Sequence, residues 1–328
     1  MESTRNKLIH LLEENKDTYI SGQFLSDKLN ISRSAIWKHM KELQKDGYEI
    51  EGIPKKGYRI VGFPDRLSEN ALQWGLKTDW LGKTIIHKEV VTSTQHIAHQ
   101  IAQENTEHGT VIIADEQTNG KGRMNRHWYS SRDKGIWLSI ILRPSILPYL
   151  APQLTLLSAC VLADVISQQS ELIPKIKWPN DILVDGKKIA GILTEMQAEQ
   201  DQIQYVVIGI GINVNHNHND LPSDIQAKAS SILMETNRNW DIKHFIQQIL
   251  VTFEKEYNEY IEHGFTHVKK KWESYSFKIG EPIRISTLKS QWTAIFSGIA
   301  EDGALLVRNN DGTTEKLYSA EIDWFHEV

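Results

Sequence analysis

One cysteine in 328 residues leaves no partner for an internal disulfide. A disulfide-stapled secreted scaffold is therefore excluded, and a lone thiol fits a reducing cytoplasm. Cys160 sits inside the apolar run 154–166 and is expected to be a buried core thiol. No unbroken run of about 18 apolar residues occurs, and the first residues, with Glu2 and no apolar core, do not read as a signal peptide, so no membrane association is expected. No recognisable Ser/His/Asp or Cys/His set is present, which removes the usual signs of a covalent enzyme intermediate. His216 and His218 lie in Asn215-His216-Asn217-His218-Asn219 without a cysteine or carboxylate constellation, so this stretch reads as a loop rather than a metal site. Positive charge is also short: the net charge is −5, which taken whole argues against nucleic acid.

What is present divides unevenly. A chain of 328 residues with 40% hydrophobic and 24% charged residues has room for two or three globular domains. Residues 1–62 carry a net +2 and the remainder −7, a sign that suits a small DNA-binding module on an acidic body. In that module Leu8, Leu11 and Leu12 share a helical face. Ser21 can cap a short helix with Phe24, Leu25 and Leu29, and Asn30-Ile31 turns the chain to a second cap at Ser32. From there Ile36, Met40 and Leu43 face inward, while Arg33, Ser34, Lys38 and Lys41 project outward. This spacing predicts a helix-turn-helix whose second helix enters the major groove, with Trp37 open between packing and base reading. Two short strands at 47–51 and 57–61 flank Pro54-Lys55-Lys56, a basic hairpin able to touch phosphate as a wing. Gly62-Phe63-Pro64-Asp65 marks the first domain boundary.

The centre is organised around residues 115–126, Asp-Glu-Gln-Thr-Asn-Gly-Lys-Gly-Arg-Met-Asn-Arg, which reads as a loop between two strands. Gly120 and Gly122 are expected to supply positive φ there, and Lys121, Arg123 and Arg126 the charge for an anion, most simply a phosphate. Ahead of it, a strand at 85–91 leads to Ser93-Thr94-Gln95 at a helix start, with Ile97, Ala98 and Ile101 facing inward. Their hydroxyls and amide can bond a neutral polar head group or simply cap the helix. Beyond it, Lys177-Trp178-Pro179-Asn180-Asp181 interrupts a strand, and Asp185-Gly186 turns into Lys187-Lys188, of which only one can face a pocket from a strand. Asp181 is either a magnesium ligand or an orienter of a basic side chain. Gly191, Gly209 and Gly211 stand in apolar strand patterns, where close approach of a ligand or backbone would explain them.

Those three stretches, Gly120-Lys121-Gly122-Arg123, 177–191 and Gly209-Ile210-Gly211-Ile212-Asn213, in this order resemble the marks of the biotin protein ligase family. With the N-terminal module, the resemblance extends over essentially the whole chain to its bifunctional operon-repressor branch. It implies an α+β architecture of three parts: a winged helix-turn-helix at 1–64, a class II synthetase-like catalytic domain with a mixed sheet at 65–276, and an SH3-like barrel at 277–328. The last agrees with short β segments at 282–285, 292–296, 304–307 and 315–318, separated by glycine turns at 301–303 and 310–312. Between them, 240–264 reads as an amphipathic helix with Phe245, Ile249, Leu250, Phe253, Tyr257, Tyr260 and Ile261 inward.

The resemblance further implies that biotin and ATP form biotinyl-5′-AMP and diphosphate, after which the biotinyl group passes to a lysine of a biotin carboxyl carrier protein of acetyl-CoA carboxylase or a related enzyme. Ser93, Thr94, Gln95 and Gln117 would line biotin, although the family more often has Asn where Gln95 stands. Lys121, Gly122, Arg123, Lys188, Gly191, Gly209 and Gly211 would bind the adenylate, with Lys188 and Arg123 catalytic because carboxylate and phosphate repel until cations neutralise them. Lys121 replaces the arginine usual in the glycine-rich loop and lacks its planar fork. Asn213 and Arg126 would hold the nucleotide, and Mg²⁺ would accompany ATP, its ligands unassigned beyond Asp181. Ser32, Arg33, Ser34, Trp37, Lys38, Lys41, Lys55 and Lys56 would contact biotin operator DNA, bound by a homodimer of the adenylate-loaded protein. Two other functions fit the same stretches less fully: a biotin-sensing repressor without catalysis, and a lipoate-type ligase on the same core.

Overall fold

The computed structural model describes residues 4–15, 17–62, 67–287, 290–318 and 320–324. Contacts divide the chain into two compact units, Met1–Lys77 and Thr78–Val328. Phe63, Pro64 and Asp65, where a boundary was expected, lie outside the described residues.

The first unit comprises α1 (Thr4–Glu14), α2 (Gly22–Leu29), α3 (Arg33–Lys45), the antiparallel hairpin β1 (Glu49–Ile53) and β2 (Gly57–Gly62), and α4 (Glu69–Gln73). Both predicted caps form. Ser21 Oγ accepts from the Phe24 amide and Ser32 Oγ from the Ala35 amide, each at 3.1 Å. Asn30, in the left-handed region at φ 52°, ends α2 and makes the tight turn possible. Leu8, Leu12, Leu25, Ile36, Met40 and Leu43 form one buried core, each fully buried aliphatic side chain contributing about 1.5–3 kcal/mol. Trp37 belongs to the other face of α3: it is 56% exposed and packs into no core.

The second unit is built on an eight-stranded mixed sheet. Its strands are β3 (Ile85–Val91), β4 (Thr110–Lys121), β5 (His127–Ser130), β6 (Gly135–Leu142), β7 (Lys175–Lys177), β8 (Asp181–Val184), β9 (Lys187–Glu199) and β10 (Gln202–Asn213). They lie in the order β3-β4-β6-β10-β9-β8-β7, with β5 paired to β4. Only β3 and β4 run parallel among these pairs. The helix α5 (Thr94–Gln103) covers part of one face through Ala98 against Ile112, Ile141 and Val207. The other face carries α6 (Ala151–Ser170), tied to β9 by a 2.8 Å hydrogen bond from Thr155 to Thr194. After the short α7 (Ile232–Thr236), α8 (Ile242–His263) and α9 (Thr266–Tyr275) pack on α6.

Two details depart from expectation. The segment Pro148–Ser170, although not an unbroken apolar run, is long and apolar enough to cross a membrane, yet 72% of its apolar window is buried inside the protein. It is a core helix, and Cys160 within it is buried as expected. Ile261, expected on the inner face of α8, is 47% exposed, whereas Tyr260 beside it is buried.

The chain ends in a five-stranded antiparallel sheet: β11 (Pro282–Ser286), β12 (Gln291–Ile299), β13 (Leu305–Arg308), β14 (Thr314–Leu317) and β15 (Glu321–Asp323). The order is β14-β13-β12-β11-β15. Gly303 and Gly312, at φ 84° and 86°, make the two predicted turns. The strand β15 is too short to show an alternation in sequence, but it places the segment Ala320–Trp324 beside the cleft described next.

Candidate active site

A row of directly paired residues crosses the sheet: Lys177 opposite Asp181, Asp181 opposite Gly191, Gly191 opposite Gly211, and Gly211 opposite Trp137. Directly opposed residues share a face, so this row and the next, Leu193-Gly209-Ser139, cut a trough into the sheet. Side chains approach the glycines closely. A Cβ on Gly211 would stand 2.5 Å from Trp128 Nε1, one on Gly191 2.9 Å from the Trp128 ring, and one on Gly209 2.6 Å from Gln95 Oε1. The trough opens into a cleft of about 1180 Å³.

The glycine-rich stretch differs from the loop foreseen. The strand β4 continues through Gly120 and Lys121, paired to Trp128 and His127 of β5, so only residues 122–126 form the turn. Gly122 is extended at φ −110°, and the left-handed positions fall on Met124 and Asn125, both at φ 56°. Gly120 is needed for proximity instead: a Cβ there would meet the Trp128 carbonyl oxygen at 2.4 Å. The turn sets Arg123 against Asn180, whose Oδ1 accepts from Nη1 at 3.2 Å. Burial holds the Arg123 guanidinium below its ordinary pKa. Arg126 reaches the C-terminal sheet, 3.0 Å from Glu321, and Lys121 is exposed at the cleft wall.

At one end the cleft is neutral and polar. Gln117 Oε1 accepts from the Thr94 amide at 2.8 Å and from its hydroxyl at 3.1 Å, while Gln117 Nε2 donates to Ser130 at 2.8 Å. Gln95 Nε2 donates to Glu195 at 2.9 Å and to the Val207 carbonyl at 3.2 Å, and Ser139 Oγ lies 3.1 Å from Gln95 Oε1. The Ser93 hydroxyl does not cap α5. It and the Trp128 indole N–H are buried polar groups with no partner among the described residues.

At the other end it is cationic. Lys188 faces the cleft and Lys187 faces solvent, as strand alternation requires. Lys188 Nζ lies 2.7 Å from Asp181 Oδ1 and 5.0 Å from the Trp128 ring centroid. Asp181 is thus placed to orient a basic side chain, one of its two foreseen roles. Asn213 is buried in the wall, its Nδ2 donating to the Ser230 carbonyl at 3.0 Å. Among the described residues no group of three His, Cys, Asp or Glu side chains could hold a metal. His216 is buried, its Nε2 2.9 Å from the Ser131 hydroxyl.

Trp128, Ser130, Ser139, Asn180 and Glu195 enter the site without having been singled out. Alternation along β6 placed Ser139 with Trp137, and that polar residue inside an apolar strand was the available signal. Nothing local distinguishes Trp128. In the first unit Ser32, Arg33, Ser34, Trp37, Lys38 and Lys41 are exposed on α3, and Lys55 and Lys56 form the hairpin tip.

Comparison with known proteins gives three family matches: the HTH domain over residues 4–59, the Biotin/lipoate A/B protein ligase family over 88–213, and the Biotin protein ligase C terminal domain over 278–324. The chain is 46% identical to the bifunctional ligase/repressor BirA of Bacillus subtilis over 324 residues, covering 98% of this chain and 99% of the relative. Identity to the Escherichia coli protein of the same name is 28%, over 96% and 95% of the two chains. Among solved structures, biotin protein ligase from Aquifex aeolicus in complex with biotin and ATP superimposes with a TM-score of 0.64 at 29% identity, covering 74% of this chain and 98% of that one.

Proposed function

The chain belongs to the biotin protein ligase family, in its bifunctional ligase/repressor branch, and from that premise we infer that it makes biotinyl-5′-AMP and passes biotin to a carrier-protein lysine, repressing biotin genes through its helix-turn-helix. The observation that carries the reading is the polarity of one cleft. Unpartnered neutral groups stand at the Ser93 end and oriented cations at the Lys188 end, as a neutral ureido ring and a carboxylate–phosphate pair require.

In this reading Ser93, Thr94, Gln95 and Gln117 hold the ureido and thiophene rings. The biotin carboxylate is drawn toward Lys188, whose ammonium also neutralises the α-phosphoryl oxygens so that two anions can meet. Arg123 adds charge from the turn, Lys121 and Gly122 close over the adenylate, and Arg126 and Asn213 hold the nucleotide. Gly191, Gly209 and Gly211 keep the floor open. The carrier lysine then attacks the mixed anhydride and AMP leaves, without a covalent enzyme intermediate. The described residues do not form an all-protein metal cage. Mg²⁺ would therefore come with ATP, bound chiefly by the phosphates, and no step is assigned to it.

On the DNA side, Ser32, Arg33, Ser34, Trp37, Lys38 and Lys41 are assigned to the major groove and Lys55 and Lys56 to phosphate. A homodimer of the adenylate-bound form suits a two-fold operator, and the buried lone thiol suits the cytoplasm. The test is diphosphate release by the purified protein with ATP and either biotin or lipoate, with a mass measurement of the retained ligand. Release with biotin alone and retained biotinyl-5′-AMP is expected. Release with lipoate alone would change the substrate, and release with neither would leave a DNA-binding sensor.

A further inference from the structure

The cleft contains a cation that the roles above leave unused. Lys177 closes β7 and pairs directly with Asp181 across the β7–β8 hairpin, so its side chain stands on the trough face beside that carboxylate. It is half-buried in the cleft wall. Asp181 is engaged with Lys188 at 2.7 Å and Arg123 with Asn180 at 3.2 Å, whereas the Lys177 ammonium makes no hydrogen bond or close ion pair with a described residue. Its charged neighbours are Asp181, Lys188, Asp323 and Arg126. Burial, helped by Lys188 and Arg126, pulls its pKa below the ordinary lysine value, against the pull of Asp181 and Asp323. A partly desolvated ammonium that has two cations beside its two carboxylate neighbours, and no close ion pair of its own, is placed to take up an arriving anion.

Adenylate formation brings three anionic groups into the cleft, namely the biotin carboxylate, the α-phosphoryl group and the diphosphate that departs. The first two converge on Lys188 and the glycine-rich turn. The third needs a cation on the side away from biotin, and Lys177 lies there, next to Arg126 and the β15 residue Asp323. We propose that Lys177 is a catalytic residue of the first half-reaction, holding the diphosphate as it leaves ATP. A carboxylate oxygen of biotin bonds to the α-phosphorus. The bond from that phosphorus to the oxygen bridging the α and β phosphates breaks, and its electron pair stays on that oxygen. No proton moves. The Lys177 ammonium offsets the charge that grows on the departing oxygen, a charge absent before the step. Transfer to the carrier involves no diphosphate and leaves Lys177 without a task.

This inference rests on the ligase reading, and its test separates the two. Full-length Lys177→Met keeps the aliphatic stem that packs in the wall. It would be assayed for diphosphate release with biotin and ATP, for the KM of diphosphate in the reverse reaction, and for transfer from preformed biotinyl-5′-AMP to a purified biotin carboxyl carrier domain. Diphosphate release should fall roughly tenfold or more, the KM for diphosphate should rise, and transfer should stay within about twofold of the unaltered protein. Lys177→Arg should recover most of the loss. Equal loss in both half-reactions would make Lys177 merely structural, and unaltered diphosphate release would remove it from the mechanism. Failure of the unaltered protein to release diphosphate would sink the ligase reading, and this inference with it.

Discussion

Lys188 Nζ and Asp181 Oδ1 stand 2.7 Å apart on adjacent strands, with the Trp128 ring 5.0 Å from the same ammonium. A long flexible side chain is thereby held in one place before substrate arrives, and electrostatic catalysis depends on such preorganisation. Replacing Asp181 by Asn should lower the rate of adenylate formation about tenfold or more, while the Mg²⁺ concentration for half-maximal rate stays where it was. A large rise in that concentration would instead make Asp181 a metal ligand.

Gly211→Ala introduces a methyl group 2.5 Å from the Trp128 indole nitrogen. The indole must move, at a cost of about 1–3 kcal/mol, and its displacement should weaken biotin binding more than ATP binding. Calorimetric titration with each substrate, together with a melting curve, reads both effects. An undiminished biotin affinity would show that the ring is not part of the biotin wall.

The buried His216 imidazole is pulled by desolvation down to about 4. Asp220 opposes this shift and Lys134 reinforces it. Between pH 4 and the ordinary histidine value near 6.5 the unfolded chain binds a proton that the folded chain does not. Stability from this group is therefore complete above about pH 6.5 and declines as the pH falls toward 4, by at most about 3 kcal/mol. Urea midpoints of the protein and of His216→Gln across pH 4.5–7 should diverge in that sense. Parallel curves would contradict it.

Arg33→Ala with Lys38→Ala removes two cations from the exposed face of α3. Operator affinity should fall, and the slope of log affinity against log salt should become shallower by roughly one for each phosphate that is no longer neutralised. Carrier biotinylation should be unchanged. An unaltered operator shift would remove these two residues from the DNA interface.

The helix-turn-helix was legible because its signals are local: two serine caps, an Asn at a left-handed position and an apolar stripe in α3. The same holds for the Asp185-Gly186 turn, with both residues at positive φ, and for the outward Lys187 and inward Lys188. Gly120, Gly191, Gly209 and Gly211 were visible as exceptions, but their cause was not. It lies in Trp128 and Gln95, which reach them only after the strands pair. Glu195 was hidden for the same reason, and β15 because three residues carry no period. What escaped the sequence is what long-range strand pairing creates.

Burial drives the Cys160 thiol well above its ordinary pKa, so the chain's single cysteine is withheld from reagents that attack thiolates. Any cysteine added at the surface would then be the sole labelling point. Met124, 71% exposed at the crest of the glycine-rich turn, is a natural place for one. A spin label or dye attached there would let the turn's motion be followed in solution by spectroscopy, against a background free of competing signal.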